Sequence, residues 1–319
     1  MSVQYVGSGF SRTRDGPPEG GPHVRTQRRD ALRKRGSGRR LATDVGVPTS
    51  TYAHIPALIK YFHILRPTSI LDIGLGNGKM GFIARDLLDV MLGERYHRDD
   101  WRVRIEGIEI FDKYIQAHQR AIYDEIHIGD AFDVIDRLGT YELVIIGDVL
   151  EHFDRDRATA FLDKAIAHCT EAIILSIPLG EKWTQDNIYG NEYERHRSFW
   201  KPEEFLPMAA DAELYDFPGL GPYGSFLIRR TSYLHHAARL RADRLAAGGG
   251  MHEAIGELLR ATGDVGNDLG TALQLAELYL QDRQVDEAIA TLEQARVAFP
   301  DHASIPTYLT QLKQGRSAA

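Results

Sequence analysis

Apolar side chains recur at helical spacing between Ile55 and Leu65, and Pro67 ends that helix before an apolar strand that closes at Ile73. Beyond Ile73, short apolar segments typical of strands alternate with longer amphipathic segments typical of helices. The predicted strands are residues 103–109, 125–128, 142–147, 172–177 and 225–229. The predicted helices are residues 79–92, 113–121, 155–168 and 202–210. This alternation predicts an α/β fold with a mainly parallel sheet that helices cover on both faces.

No strand pattern returns after Arg230, and the rest of the chain is predicted to be helical. Its apolar positions follow the spacing of a tetratricopeptide repeat, in which two antiparallel helices occupy 34 residues. The matching positions are Ala272, Leu275, Ala276, Tyr279, Ala288, Leu292, Ala295 and Pro300, with Ala254, Leu258 and Ala261 one repeat earlier and Leu309 one repeat later. So short an array needs a surface to pack on, and it is predicted either to cap the α/β domain or to bind a protein partner or a second copy of the chain.

Residues 1–45 lack this periodicity and carry ten Arg and Lys residues against four acids, a net charge of +6 in a chain whose formal net charge is −7. The remaining residues therefore carry −13. A segment with so few apolar side chains cannot bury enough surface to offset its ordering entropy. We predict a disordered basic tail at residues 1–45, an α/β domain at 46–230 and a helical region at 231–319. The tail is either an arm for an acidic partner or a solvated leader, and we favour the leader.

Composition narrows the cellular location. The single cysteine, Cys169, which the pattern places in a helix, excludes an intramolecular disulfide and favours a reducing cytoplasm. No apolar run approaches the roughly 20 residues of a membrane span, and the N-terminus lacks the apolar segment of a signal peptide. We expect a cytoplasmic protein without membrane contact.

The strand that closes at Ile73 leads into the run Ile70-Leu71-Asp72-Ile73-Gly74-Leu75-Gly76-Asn77-Gly78-Lys79. Alternate glycines after a first parallel strand let the backbone turn sharply and approach a ligand, and the next helix presents free N–H groups. The run predicts a nucleotide-like cofactor. Because Gly76 to Gly81 also satisfies G-x-G-x-x-G, an NAD(P)-dependent oxidoreductase is one alternative. Against it, the next acidic strand end, Glu109, lies well beyond the usual ~20 residues.

Four ordered motifs across residues 51–230 resemble those of class I S-adenosylmethionine-dependent methyltransferases. They are Leu71-Asp72-Ile73-Gly74-Leu75-Gly76-Asn77-Gly78, Gly107-Ile108-Glu109-Ile110, Ile128-Gly129-Asp130-Ala131 and Val144-Ile145-Ile146-Gly147-Asp148-Val149-Leu150-Glu151-His152-Phe153. The resemblance implies a Rossmann-like fold with a seven-stranded, mainly parallel sheet, and S-adenosyl-L-methionine as the cofactor. It implies that the methionine portion of the cofactor is contacted by Asp72, Gly74, Gly76 and Gly78. The ribose would be bound by Glu109, and the adenine would lie beside Ile110 or Phe111, with its amino group at Asp130 and Ala131. Asp148 would lie beside the transferred methyl group. Carboxylates at successive strand ends also suit a cationic sulfonium better than a phosphate-rich cofactor.

Asp148, Glu151 and His152 are spaced so that one helical turn would put them on the same face, and His196 follows the fifth strand. Two carboxylates and two imidazoles can bind Mg²⁺, Mn²⁺, Fe²⁺ or Zn²⁺. The set is similar to that of metal-dependent O-methyltransferases acting on the terminal ribose of small RNAs, except that Asp148 stands where they carry Glu. A metal would orient an acceptor hydroxyl and lower its pKa; without one, His152 or His196, next to Asp148, would act as the general base.

Residues 180–200 mix aromatic and amide side chains in a way typical of a lid over a polyhydroxylated acceptor. The side chains concerned are Trp183, Gln185, Asn187, Tyr189, Asn191, Tyr193 and Trp200. We therefore expect O-methylation of a hydroxyl on a small molecule or saccharide. RNA 2′-O-methylation is an alternative, but nucleic-acid binding needs a basic face and the chain outside the tail is acidic. A catalytically idle methyltransferase-like adaptor is a third possibility.

Overall fold

The strand before the glycine run lies in the middle of a seven-stranded sheet. The computed structural model describes residues 49–188 and 190–317, the last three by their backbone alone. The strands are β1 (Ser69–Ile73), β2 (Arg104–Glu109), β3 (Glu125–Ile128), β4 (Tyr141–Gly147), β5 (Cys169–Pro178), β6 (Asp211–Phe217) and β7 (Gly221–Arg229). Their order is β3-β2-β1-β4-β5-β7-β6, and β7 runs antiparallel to both of its neighbours while the other pairs are parallel. This is the Rossmann-like, mainly parallel sheet that the sequence predicts, so the fold class is confirmed.

Eleven α-helices are found among the described residues. They are α1 (Ile55–Leu65), α2 (Lys79–Ala84), α3 (Ala117–Ile122), α4 (Ala131–Val134), α5 (Arg155–Ala167), α6 (Pro202–Phe205), α7 (Arg230–Ala247), α8 (Met251–Val265), α9 (Leu269–Gln281), α10 (Val285–Ala298) and α11 (Ser304–Ser317). The predicted helix at 79–92 is α2 continued by a π-helical stretch, Arg85–Met91. Cys169 begins β5, and its placement in a helix is wrong because α5 already ends at Ala167. The predicted basic tail and Tyr189 lie outside the described residues.

Each face of the sheet has its own apolar core, because successive side chains of a strand point to opposite faces. On β1, Leu71 and Ile73 belong to the core beneath α5 and α7, whereas Ile70 belongs to the core beneath α1 and α2. The side chains of β4 alternate between the same two cores. With both faces covered, the ends of the strands are the places where polar groups can gather.

Strand β6 was not predicted from the pattern. Its side chains are mostly half-buried or exposed, and it forms one edge of the sheet, paired with β7 alone. Lys60 of α1 forms ion pairs with Asp211 at 2.5 Å and Glu213 at 2.9 Å on this strand. Charges stand at positions 211, 213 and 216, and the adjacent Leu214 and Tyr215 break the alternation, so neither a continuous apolar run nor a strict alternation marks this strand in the sequence.

The region after β7 is helical throughout its described part, as predicted. Helix α7 packs on the sheet through the buried Tyr233, whose hydroxyl donates a hydrogen bond to Asp163 of α5 at 2.9 Å. Two further apolar clusters hold α7 to α9 and α9 to α11 together. Ala288, Leu292 and Ala295 are buried at the predicted spacing; the assignment to the tetratricopeptide class stays a prediction. No helix in the described part of the chain is both long and apolar enough to cross a membrane.

A buried ion-pair network holds the helix that follows the glycine run. The Arg85 guanidinium, 3% exposed, donates hydrogen bonds to Asp89 and the Val103 carbonyl, both at 2.6 Å, and to the Ile122 carbonyl and Asp124 at 3.1 and 3.0 Å. Burial alone would raise the pKa of Asp89, but hydrogen bonds from a neighbouring amide and from Arg85 outweigh it and lower that pKa. The network ties the π-helical stretch to the starts of β2 and β3.

We expect Asp89→Asn to lower the free energy of unfolding by about 1.5–3 kcal/mol, because the charge-assisted hydrogen bonds of Asp89 to Arg85 and Arg95 are lost, while Arg85 keeps its pair with Asp124. The loss should be complete above the unfolded-state pKa of about 3.9 and should shrink as the pH falls towards the lower folded-state pKa. Urea denaturation at several pH values measures both. Asp86→Asn, on an exposed neighbouring position, is the control and should change stability by no more than about 0.5 kcal/mol; equal effects of the two substitutions would contradict the assignment.

Candidate functional site

A cavity of about 450 Å³ opens at the carboxyl ends of the parallel strands, within the roughly 300–1,000 Å³ typical of small-molecule sites. Its floor is formed by the ends of β1, β2, β4 and β5, through Ile73, Glu109, Gly147 and Pro178. Residues 49–51, which precede α1, close one side. The sheet topology thus brings motifs that are far apart in the sequence to one edge.

The glycine turn forms one wall of the cavity. Gly74, Gly76 and Gly78 have φ angles of 68°, 49° and 75°, a backbone conformation that favours glycine. A Cβ on Gly74 would lie 2.5 Å from a methyl carbon of Val149, so the turn also needs glycine for space. Gly74 and Gly76 line the cavity, whereas Gly78 caps α2 outside the lining.

Asp72 lies below the glycine turn with 1% of its surface exposed. The Tyr123 hydroxyl donates a hydrogen bond to its carboxylate at 2.5 Å and accepts one from the Gly81 amide at 3.2 Å. Burial raises the pKa of Asp72 to about 7, although the Tyr123 hydrogen bond opposes this. Asp72 therefore supports the turn from beneath while still contributing to the cavity floor.

Glu109 at the end of β2 spans the gap between the glycine turn and the loop after β2. Its two oxygens accept hydrogen bonds from the Gly76 amide at 3.0 Å and the Phe111 amide at 2.9 Å. Burial raises the pKa of Glu109, and these amides oppose the shift. Each oxygen keeps a second lone pair for a ligand hydroxyl.

Most, but not all, of the residues that the sequence predicts beside an adenine reach the cavity. Ile110, Asp130 and Ala131 line the cavity, whereas Phe111 lies outside the lining and packs edge-on against Tyr114, with ring centroids 4.8 Å apart. Asp130 also has a structural role, because one oxygen caps α4 at the Phe132 amide and the other pairs with Arg157, both at 2.9 Å.

Asp148 is a sharp corner after β4. Its φ of 52° is unusual for a side chain other than glycine and marks a strained position, as often found at functional sites. The corner leads into a 3₁₀ turn, Leu150–His152, instead of the helical turn considered from the sequence. Burial raises the pKa of Asp148, while Ser50, Tyr223 and Lys79 oppose the shift. The carboxylate thus faces residues 50, 79 and 223.

Glu151, His152 and His196 form a separate cluster, in which one potential ligand atom from each lies within 4.8 Å of the other two. Asp148, the fourth predicted ligand, is not part of it. The Glu151 side chain is 2% exposed, and neither of its oxygens has a hydrogen-bond partner among the described residues. His152 Nδ1 lies 3.2 Å from the Arg195 carbonyl, and His196 Nδ1 lies 2.5 Å from the Trp183 carbonyl. The Nε2 atom of each ring takes no part in these two contacts.

Burial controls the protonation of this cluster. It raises the pKa of Glu151 well above the usual range, with a further contribution from Asp148. It lowers the pKa of His152 to about 4 and lowers that of His196 as well. Neutral imidazoles with such low pKa values are weak general bases near pH 7 but suitable metal ligands.

Residues 183–188 and 190–197, here called the cavity segment, cover the opposite wall. Trp183, Gln185, Asn191 and Tyr193 line the cavity, but Asn187 and Trp200 do not. The amides of Gln185 and Asn191 are engaged in holding the segment itself, through Glu194 and Tyr114. Trp200 is buried against Phe205 and under the Arg155 guanidinium, so it belongs to the core.

Several lining residues were not singled out in the sequence, among them Tyr114, Tyr223 and Lys79. Tyr114 ends a short 3₁₀ turn, Tyr223 is the single tyrosine of β7, and Lys79 is the first residue of α2. The Tyr223 hydroxyl is buried next to the Asp148 carboxylate and opposes the rise in the pKa of Asp148. Single tyrosines carry no spacing signal, so only the fold reveals them.

A second group of potential ligands, Glu106, Glu125 and His127, lies at the opposite end of the sheet. Here Glu106 already accepts hydrogen bonds from Tyr141 at 2.7 Å and pairs with His127 at 2.8 Å. These internal partners satisfy the carboxylate, and the group is a structural contact between β2, β3 and β4.

No family model matches the chain, and no curated protein matches its sequence. One solved structure of similar fold is a SAM-dependent methyltransferase from Archaeoglobus fulgidus, with 15% sequence identity and a TM-score of 0.38 over 55% of this chain and 91% of that one. Another is a putative O-methyltransferase from Nostoc punctiforme, with 16% identity and a TM-score of 0.38 over 55% of this chain and 56% of that one. A third is 1,6-didemethyltoxoflavin-N1-methyltransferase from Burkholderia thailandensis with bound S-adenosylhomocysteine. It shares 17% sequence identity and a TM-score of 0.40 over 63% of this chain and 86% of that one. The chain spans little more than half of the Nostoc protein. These similarities concern fold alone, and the fold assignment depends on the strand order described above.

The raised pKa of Asp72 predicts a pH effect on stability. Between pH 4 and 7 the folded state holds a proton that the unfolded state has released, so stability falls as the pH rises through this window. A shift from 3.8 to about 7 corresponds to roughly 4 kcal/mol at most. Asp72→Asn should remove this part of the decline, as measured by urea denaturation from pH 4 to 8. Asp133→Asn, exposed on α4, should keep the wild-type decline, and an unchanged decline in Asp72→Asn would contradict the assignment.

Proposed function

We propose that the protein is an S-adenosylmethionine-dependent O-methyltransferase that acts on a hydroxyl of a small molecule or saccharide. The observation that carries the proposal is the set of carboxylates at the ends of three parallel strands, Glu109, Asp130 and Asp148, around one glycine-lined cavity. A ribose, an adenine and a cationic sulfonium need partners of this kind, in this spatial order along the sheet.

The charge of the cavity supports this cofactor over a dinucleotide. Its lining has seven acidic side chains, at positions 72, 109, 130, 148, 151, 154 and 194, and three basic ones, at positions 79, 157 and 197. Arg157 is already paired with Asp130. Burial raises the pKa of several of these acids, Asp72 and Glu151 among them, so their number is not a net charge. The excess of carboxyl groups over basic side chains still favours a cationic sulfonium over the pyrophosphate of NAD(P) or the backbone of RNA. The open volume and the unsatisfied carboxylate of Glu151 also argue against a catalytically idle adaptor.

The residues fit the cofactor. When bound, S-adenosylmethionine supplies an electrophilic methyl group on sulfur. Gly74 and Gly76 have the left-handed backbone that brings the turn to the cavity wall, and the spare lone pairs of Glu109 can accept two ribose hydroxyls. The Asp148 carboxyl group would lie near the sulfonium, and the Lys79 side chain donates a hydrogen bond to the Ser50 carbonyl, which holds residues 49–51 at the side of the cavity.

A divalent metal also fits, on Glu151, His152 and His196. The fit rests on the buried Glu151 carboxylate without partners and on two imidazoles whose Nδ1 atoms face backbone carbonyls, the usual arrangement around a metal. When bound, a metal supplies Lewis acidity towards an acceptor hydroxyl. Two nitrogens and one carboxylate favour Fe²⁺, Mn²⁺ or Zn²⁺ over Mg²⁺. Burial lowers the pKa of both histidines and so weakens each as a base, and together with the Glu151 carboxylate that lacks a partner among the described residues this favours metal assistance over a histidine base.

For the acceptor, the cavity segment offers aromatic surface more than free amides. Trp183 and Tyr193 can contact a ligand ring, and the exposed Arg197 lines the same wall next to His152. The side-chain amides of Gln185 and Asn191 hold the segment, so they are not free to form hydrogen bonds with the hydroxyls of an acceptor. The acceptor is therefore recognised mainly by ring contact and by its reacting hydroxyl.

We expect Glu109→Gln to weaken S-adenosylmethionine binding by roughly 10- to 150-fold, since one or more charge-assisted hydrogen bonds are lost. Calorimetric titration of purified protein measures the Kd. Glu125→Gln, on an exposed side chain at the other end of the sheet, is the matched control and should bind as the wild type does. Unchanged affinity in Glu109→Gln would remove the ribose assignment, and a thermal shift with NAD(P) but not with S-adenosylmethionine would overturn the proposed activity.

We expect Glu151→Gln and His196→Gln each to lower the affinity for Mn²⁺ or Zn²⁺ by about ten-fold or more, because each removes one of three ligands. Calorimetry or equilibrium dialysis gives this result without a turnover assay. His127→Gln, in the satisfied group on β3, should leave metal affinity unchanged. Full methyl transfer in excess EDTA, or loss of metal only in His127→Gln, would contradict the metal assignment.

A further inference from the structure

The cavity segment carries His196 but has little regular structure of its own. Among its described residues it has a single 3₁₀ turn, Glu192–Glu194, and a bridge between Ile188 and Asn191. Its base is closed where the Gly180 amide donates to the Trp200 carbonyl at 2.8 Å. Because it lacks regular secondary structure, the rest of the segment is held against the cavity by individual hydrogen bonds and side-chain contacts.

Its far end is fixed by a buried triangle of polar side chains. The Tyr114 hydroxyl donates to Glu194 at 2.9 Å and accepts from Asn191 Nδ2 at 3.1 Å. Asn191 Nδ2 lies 3.4 Å from the same Glu194 oxygen. Tyr114, Asn191 and Glu194 are 1%, 2% and 9% exposed, so water does not compete for these groups.

From Tyr114 the contacts continue to the glycine turn. The Tyr114 carbonyl accepts a hydrogen bond from Gln119 Nε2 at 2.8 Å, and the same nitrogen donates to the Gly76 carbonyl at 2.8 Å. Gln119 is completely buried. One side chain thus joins the turn that faces the cofactor to the residue that holds the cavity segment.

On the other side, the triangle is connected to His196. Gln185 Nε2 donates to the Glu194 carbonyl at 2.7 Å, and the Gln185 carbonyl accepts from the His196 amide at 3.0 Å. The His196 ring is then oriented by the Trp183 carbonyl. A continuous set of hydrogen bonds therefore runs from Gly76 to His196.

We propose that Tyr114 and Glu194 are positioning residues that couple the two halves of the site, so that a cofactor seated on the glycine turn holds the cavity segment, and with it His196, in place. The inference rests on the proposed function. Neither side chain needs to touch the transferred methyl. By thermodynamic reciprocity, a ligand at His196 would in turn strengthen cofactor binding.

The test is hydrogen exchange of the full chain, followed by mass spectrometry, with and without S-adenosylhomocysteine. In the wild type, the ligand should slow exchange in peptides covering residues 185–196 by roughly ten-fold. Tyr114→Phe keeps the ring contact with Phe111 but removes the hydrogen bond to Glu194, so at saturating S-adenosylhomocysteine it should lose this protection, and its affinity for that ligand should fall by no more than about ten-fold. Glu194→Gln keeps an acceptor for the Tyr114 hydroxyl and should retain it, whereas Glu194→Ala should not.

Tyr233→Phe is the matched control, because it removes a buried tyrosine-to-carboxylate hydrogen bond far from the cavity. It should keep the full ligand-dependent protection. Wild-type binding without protection of residues 185–196, or full protection in Tyr114→Phe, would overturn the coupling while leaving the proposed function intact. Failure of the wild type to bind S-adenosylhomocysteine would remove the proposed function, and the coupling with it.

Discussion

The burial of carboxylates at one edge of the sheet is the constraint on which the rest of the structure depends. Water is largely absent from Asp72, Glu109 and Glu151, so each must find hydrogen-bond donors or remain unsatisfied. Asp72 is satisfied by Tyr123 and Glu109 by two backbone amides, whereas Glu151 finds no partner among the described residues. The fold thus satisfies the carboxylates that shape the glycine turn and leaves unsatisfied the one in the histidine cluster. That difference separates the carboxylates that this chain itself satisfies from the one that the described residues leave without a partner.

Much of this arrangement follows from the sequence because parallel strands end at the same edge. Once β1 to β4 are recognised, Asp72, Glu109, Asp130 and Asp148 must lie near one another. Helix α1 is predicted to within a residue for a similar local reason, since its apolar spacing and the following Pro67 depend on no distant contact. Local signals of this kind are reliable when one element covers the whole pattern.

The remainder depends on tertiary structure. The edge strand β6 has too few buried side chains to show a pattern, and the boundary between α5 and β5 shifts Cys169 from helix to strand. At the site, the spacing of Asp148, Glu151 and His152 assumes a helical turn, but the left-handed backbone at Asp148 sends its carboxylate towards Ser50 and Tyr223. A single backbone angle therefore divides a predicted group of four residues into a cluster of three and a separate carboxylate. No sequence pattern reports that angle.

The edge strand β6 has one more consequence, which concerns how molecules behave beside each other. An open strand edge presents unpaired amides and carbonyls that can pair with another chain. On β6, Asp211 and Glu213 face Lys60 of α1, so the outermost strand carries ion pairs where an apolar strand would invite sheet extension between molecules. The charges that interrupt the apolar pattern of β6 in the sequence thus also disfavour the pairing of this edge with a second molecule.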